Sequence, residues 1–417
     1  MEKTAIKNMF KDELRKGTGK AVMLMHQHSG MDFSVDIIQS CLYNPDYHTT
    51  VYESGRGQYL FELISHLKNK DHVKQELIIT FLIATDKKMS WSQMFELMCL
   101  YAKTGDGHAK AAIYKKFLEL LPNKEGLGEK EIITLDGIQG LMHVAHHVGY
   151  FLSKSEDSWD ASEAIYQYQE LHPNGDPWIM LRKESHMDKS INVYLHMAQQ
   201  YRPVLRKTAG SSYQQLSAII EKRPVRLEAI KPNVLEHFAR DLATETNEKV
   251  LQNRLASFMN NQFPLDYHIL MKLTDHKNIL IKHYAYQALS HFKNEEVRNL
   301  AIDNLKQGRL VIDSLDILKK NYRPEDDRLI LKVLNRERNE SYFKDISFEL
   351  WGIYLNHKPG THGVKALLKV YEKVIDPNLR QDVVEILARH HLLPAKIKQE
   401  AKYDCNLRTR ALVASLN

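Results

Sequence analysis

Asp376-Pro377-Asn378-Leu379-Arg380 recurs 28 residues later as Asp404-Cys405-Asn406-Leu407-Arg408, and each copy opens an apolar run of helical period. A looser copy begins at Asp275, where Asn278 and Lys282 precede Ala285, Ala288 and Leu289. Units of this size cannot bury an apolar face alone, so a chain built from them must stack neighbours to obtain a core. Within the phrase, Asp is a good N-cap because its carboxylate accepts from first-turn amides, and Pro377 sits where a missing N–H costs nothing. Val383, Val384, Leu387 and Ala388 in one copy, and Ala411, Ala414 and Leu416 in the other, then form a stripe along one helix face. Asp376, Arg380, Asp404 and Arg408 are read as structural repeat residues, each Arg reaching back to a carboxylate or to a neighbouring loop.

An acidic turn residue followed by Arg or Lys from unit to unit resembles the HEAT repeat, a pair of antiparallel helices. The resemblance covers residues 275–417, and the rest by general character. It implies an all-α chain whose second half is a right-handed α-solenoid of HEAT-like or armadillo type. The N-terminal helical region would be packed against that solenoid or continuous with it.

At 417 residues the chain is long for one core. With 18 Gly, 12 Pro and no long β-branched alternation, a sheet is not expected. Leu60, Leu63, Ile64 and Leu67 follow helical spacing, and Val73, Leu77 and Phe81 continue it after a break. The reading divides the chain into an N-terminal α-helical domain at 1–200, a basic Pro-containing connection at 201–232 and a HEAT-like domain at 233–417. Residues 1–15 lack a secretory apolar core, and the longest apolar run, Leu77 to Ala84, is too short to cross a bilayer. Cys41, Cys99 and Cys405 are scattered without a CxxC pair, which fits reduced thiols and a cytoplasmic location.

Charge is unevenly placed. Residues 1–200 hold 22 Lys and Arg against 26 Asp and Glu, whereas 201–417 hold 36 against 26. Arg202, Arg206, Lys207, Arg223 and Arg226 concentrate the excess and form the candidate surface for nucleic acid or another anion. The competing reading is that these side chains only solvate outer helix faces.

Histidine is the other excess, at 21 residues. His143 and His147 lie one helical turn apart, a spacing that can chelate a metal, with His146 beside them. No HExxH glutamate accompanies them, and Ala145, Val148 and Leu141 mark a largely buried helix, where a histidine bonded to a backbone carbonyl is ordinary. His390 and His391 read as a cationic cap at a helix end. Gly17-Thr18-Gly19-Lys20 suggests a phosphate loop but lacks the first glycine and the Ser or Thr of a Walker A sequence, so a helix break is expected there. Gly55-Arg56-Gly57 precedes a helix whose amides could hold an anion, or simply forms a tight turn.

No nucleophile elbow, dinucleotide fingerprint or recognisable catalytic cysteine occurs, and no cofactor is expected. Two functional classes remain: a non-enzymatic scaffold holding a protein or peptide partner, and a nucleic-acid-binding protein. The second resembles HEAT-like alkylpurine DNA glycosylases, which would need a carboxylate, Asp345 near Phe343 and Trp351 or else Asp275, and aromatic residues exposed in a groove. A metal-dependent hydrolase built on the histidines ranks third, and no membrane partner is expected.

Overall fold

The computed structural model describes residues 3–43, 55–86, 88–123, 126–155, 161–200 and 232–416. Among them all regular structure is helical, in twenty-three α-helices with two short 3-10 turns and no strand. None of these helices is long and apolar enough to cross a membrane.

The chain divides into two compact units. The first holds the described residues up to Gln200 together with Lys396–Ser415, and the second holds residues 232–395. The last helices before the C-terminus therefore belong with the first unit, although the second unit intervenes in sequence.

In the first unit helices start and stop where local chemistry dictates. The Asp106 carboxylate accepts from the amides of His108 and Ala109 at 3.0 and 3.1 Å, opening Gly107–Leu120. Asp176 caps Pro177–Ser185 in the same way, with Pro177 in the first turn. Tyr59, Leu60, Leu63 and Ile64 of Arg56–Ser65 are buried, as are Val73, Leu77, Ile78 and Phe81 of Lys70–Ile83. Each such apolar side chain removed from water contributes about 1.5–3 kcal/mol. Alternate helices pack together: Ser34–Leu42 on Lys70–Ile83 and that on Gly107–Leu120, and in a second row Arg56–Ser65 on Trp91–Lys103 and that on Glu129–Leu152.

The second unit repeats this alternation over more helices. Ile279–Leu289, Val311–Asn321, Glu340–Asn356 and Pro377–Arg389 pack in succession as one row. Glu295–Gln307, Asp327–Arg336 and Thr361–Lys373 form the other. Asn278, Asn294, Asn339 and Asp376 are the N-caps, each side chain accepting from an amide of its helix. Pro377–Arg389 buries Val383, Val384 and Leu387 of the anticipated stripe, with Leu379 and Ile386 beside them and Ala388 half-buried.

The repeated phrase is not structurally in register. Asp376 caps its helix directly, but in the second copy Asn406 does so, accepting from the amides of Arg408 at 2.9 Å and Thr409 at 3.2 Å. Asp404 instead accepts from the Asn406 amide at 2.9 Å, one step before the cap. The shift of two residues moves the basic position too. Arg380 is fully buried, with Nη1 donating to the carbonyls of Ile375 at 2.7 Å and Val374 at 3.3 Å. Arg408 is exposed, and Arg410 occupies the corresponding place, its Nε donating to the Asp404 carbonyl.

Candidate functional site

Both glycine motifs lie in the first unit, and each has a structural use. The helix Lys3–Lys16 ends at Gly17 (φ 75°), and Gly19–Gln27 follows after Thr18, so the expected break is present. The Gly17 carbonyl accepts from the Cys405 amide at 2.8 Å. A Cβ on Gly19 would stand 1.9 Å from the Glu400 carbonyl oxygen, and one on Gly55 2.3 Å from that of Cys405. These glycines admit the backbone of Lys396–Ser415. Its Cys405 side chain is buried in the same core as Phe10 and Tyr59.

The helix N-terminus after Gly55 does hold an anion, and the anion is the protein's own. The Glu96 carboxylate accepts from the amides of Gly57 at 2.8 Å and of Gly55 and Gln58 at 3.3 Å. Burial pushes the Glu96 pKa up while these three amides pull it down. Sequence could not reveal this occupant, because nothing local connects residue 96 to residue 57.

Gly137 (φ 55°, ψ −126°) kinks Glu129–Leu152, and the histidines follow on its C-terminal arm. The rings of His143 and His147 lie 4.4 Å apart between centroids, and those of His146 and His147 4.9 Å apart. Tyr114 stands edge-on to His143 at 4.7 Å, and its hydroxyl donates to Asp136, which also accepts from Lys110 Nζ at 2.6 Å. His146 Nδ1 meets Asp188 Oδ2 at 2.5 Å, while Oδ1 of the same carboxylate accepts from the Ser190 amide at 2.8 Å. Burial, followed by the neighbouring His147 and His146, pushes the His143 pKa down to about 4, and burial lowers that of His147. The His143 imidazole is therefore neutral at pH 7. The rings pack on one another, and among the described residues no three His, Cys, Asp or Glu side chains are placed to hold a metal ion.

A surface feature of the second unit was not legible as such. On Glu340–Asn356, Phe343, Ile346, Leu350 and Ile353 face the core, while Phe348 is 47% and Leu355 39% exposed. Trp351 lies beside Phe348 with ring centroids 5.4 Å apart. The helix therefore carries a second apolar stripe at positions 348, 351 and 355, one helical turn apart, and Asp345 is exposed at its N-terminal end. Along the same row His283 pairs with Asp313 at 2.5 Å, and Lys319 bridges Asp316 at 2.9 Å and Glu349 at 2.7 Å. Ile279 and Leu280, at the start of the row's first helix, are exposed as well.

Phe343 is buried beneath Lys373, so it does not supply a groove aromatic beside Asp345. His390 ends Pro377–Arg389, but burial, Lys358 and Arg389 lower its pKa, which opposes the cationic cap expected there. Arg202, Arg206, Lys207, Arg223 and Arg226 lie outside the described residues. No known family, curated protein or solved structure matches this chain.

Proposed function

We propose that this protein is a non-enzymatic binding scaffold, an α-solenoid of HEAT-like helix pairs that holds a protein or peptide partner. The observation that carries the reading is the pair of alternating helix rows in the second unit, with exposed Phe348 and Leu355 and the half-buried Trp351 forming a stripe on one of them. Apolar surface left on a helix that already buries a full core stripe suits a peptide, whose side chains would cover it. On the same row of helices His283, paired with Asp313, and Lys319, paired with Asp316 and Glu349, would offer such a partner polar contacts.

The test is selection of binders from a displayed random-peptide library on the purified protein, followed by titration against Phe348→Ser and Leu355→Ser. Loss of binding in correctly folded variants is expected. Peptides whose affinity ignores both substitutions would remove this surface from consideration.

Nucleic acid is the second reading, favoured by the net charge of +10 over residues 201–417. Binding through Arg202, Arg206, Lys207, Arg223 and Arg226 would weaken steeply with salt, and neutralising all five would flatten that dependence. Tight DNA or RNA binding with this behaviour would replace the peptide reading. Release of a base from alkylated DNA by the purified protein would make it an enzyme of the glycosylase kind.

A further inference from the structure

The C-terminal segment has the properties of a detachable part. Its helices, Ala395–Ala401 and Leu407–Ser415, are seven and nine residues long. Helices of that length are not stable alone in water, so their order depends on what they pack against. The surface that receives them is built for close backbone approach at Gly17, Gly19 and Gly55. Three further contacts fix the register. The Cys405 amide bonds to Gly17, the Cys405 side chain is buried among apolar residues, and Arg410 Nη1 donates to both oxygens of Glu62 at 2.8 Å.

We propose that Lys396–Ser415 is a latch, which folds only on the floor at Gly17, Gly19 and Gly55 and leaves that floor as one cooperative unit. Its footing is mostly polar at one end and apolar at the other. Arg410 and Glu62 keep 17% and 31% of their side chains accessible, so solvent can compete for the ion pair first. Once Arg410 leaves Glu62, the backbone seated at Gly17, Gly19 and Gly55 and the buried Cys405 side chain still hold the segment, and neither short helix persists when these contacts open. Release uncovers the backbone at Gly17, Gly19 and Gly55, so the turn between Lys3–Lys16 and Gly19–Gln27 should open together with the latch.

Hydrogen exchange read by mass spectrometry on the full-length protein tests this, comparing the parent with Glu62→Ala, Arg410→Ala, the double variant and Gly19→Ala. Peptides covering 396–415 and 13–24 should exchange faster in parallel, by roughly tenfold in either single variant. The double variant should go little further, because both substitutions remove one pair. Gly19→Ala should free the latch even with the ion pair intact, while peptides from 295–389 stay protected. Unchanged exchange of 396–415 in the ion-pair variants would overturn the proposal. So would acceleration at 396–415 without any at 13–24, or acceleration spread equally over 295–389. If Gly19→Ala does not fold, the ion-pair variants still decide.

Discussion

Arg380 and Arg410 hold equivalent places in their helices: each stands four residues after the N-cap, its guanidinium donating to a main-chain carbonyl six residues back. Arg298, four residues after the cap Asn294, is a third example, with its guanidinium directed to the Asn321 carbonyl and to Asp326. The basic residue fastens the turn before its own helix or the turns of a neighbour. That explains its recurrence without reference to a ligand.

These positions should differ in cost. Arg380→Ala strips the donor from the buried Val374 carbonyl and the half-buried Ile375 carbonyl and leaves a cavity, and should destabilise by about 3 kcal/mol. Arg410→Ala removes a partly exposed group and should cost about 1–2 kcal/mol. Arg408→Ala, at an exposed position, should cost less than Arg410→Ala. Urea unfolding of the three variants checks the order, and an Arg408→Ala cost equal to that of Arg380→Ala would contradict the shifted register.

Glu96 invites a second test. Glu96→Ala leaves the amides of Gly55, Gly57 and Gln58 without their acceptor, at an expected cost of about 2–4 kcal/mol. Glu96→Gln keeps one acceptor oxygen and should recover about half of the loss. Thermal melts of both variants would show it, with the first helical turn after Gly55 losing exchange protection.

Acidity should act oppositely on the two units. His143 has its pKa lowered from 6.5 to about 4, so below pH 6.5 the unfolded chain takes up its proton first. Its contribution to the first unit is present above pH 6.5 and is lost as pH falls towards 4. Asp382 is buried, with its pKa raised from 3.8 to about 7 by desolvation, then by Glu385 and Asp376. Its contribution to the second unit is complete below pH 3.8 and is lost as pH rises through 7. Asp382→Asn should therefore stabilise the second unit at pH 8 by on the order of 2 kcal/mol and have little effect at pH 4. Exchange protection followed from pH 8 to pH 5 should fall around His143 and rise around Asp382. The same direction at both places would refute the assignment.

The helices were readable because their apolar positions repeat every three to four residues, as Leu60, Leu63 and Ile64 do, and those positions are buried. Caps were readable only where a further signal fixed the helix start. Both copies offer an Asp and an Asn two residues apart; Pro377 marks the first turn and leaves the cap to Asp376, whereas Cys405 gives no such mark and Asn406 takes the cap. The glycines at 17, 19 and 55 suggested anion loops because a glycine-rich turn before a helix has the same composition whether it admits a phosphate or another backbone. What enters here is the Glu400–Cys405 backbone, far away in sequence, and Glu96 fills the remaining amides. The second stripe at Phe348, Trp351 and Leu355 was hidden by its neighbour, since two apolar faces on one helix blur each other's period.

The return of Lys396–Ser415 to the first unit sets an order on biosynthesis. As the ribosome works from residue 1 onward, helices up to Gln200 emerge early but lack the piece that covers Gly17, Gly19 and Gly55. The second unit, encoded in between, has all its helices in hand before that piece leaves the exit tunnel. The unit whose helices emerge ahead of the second is thus completed after it, and its open floor is what chaperones would meet in that interval.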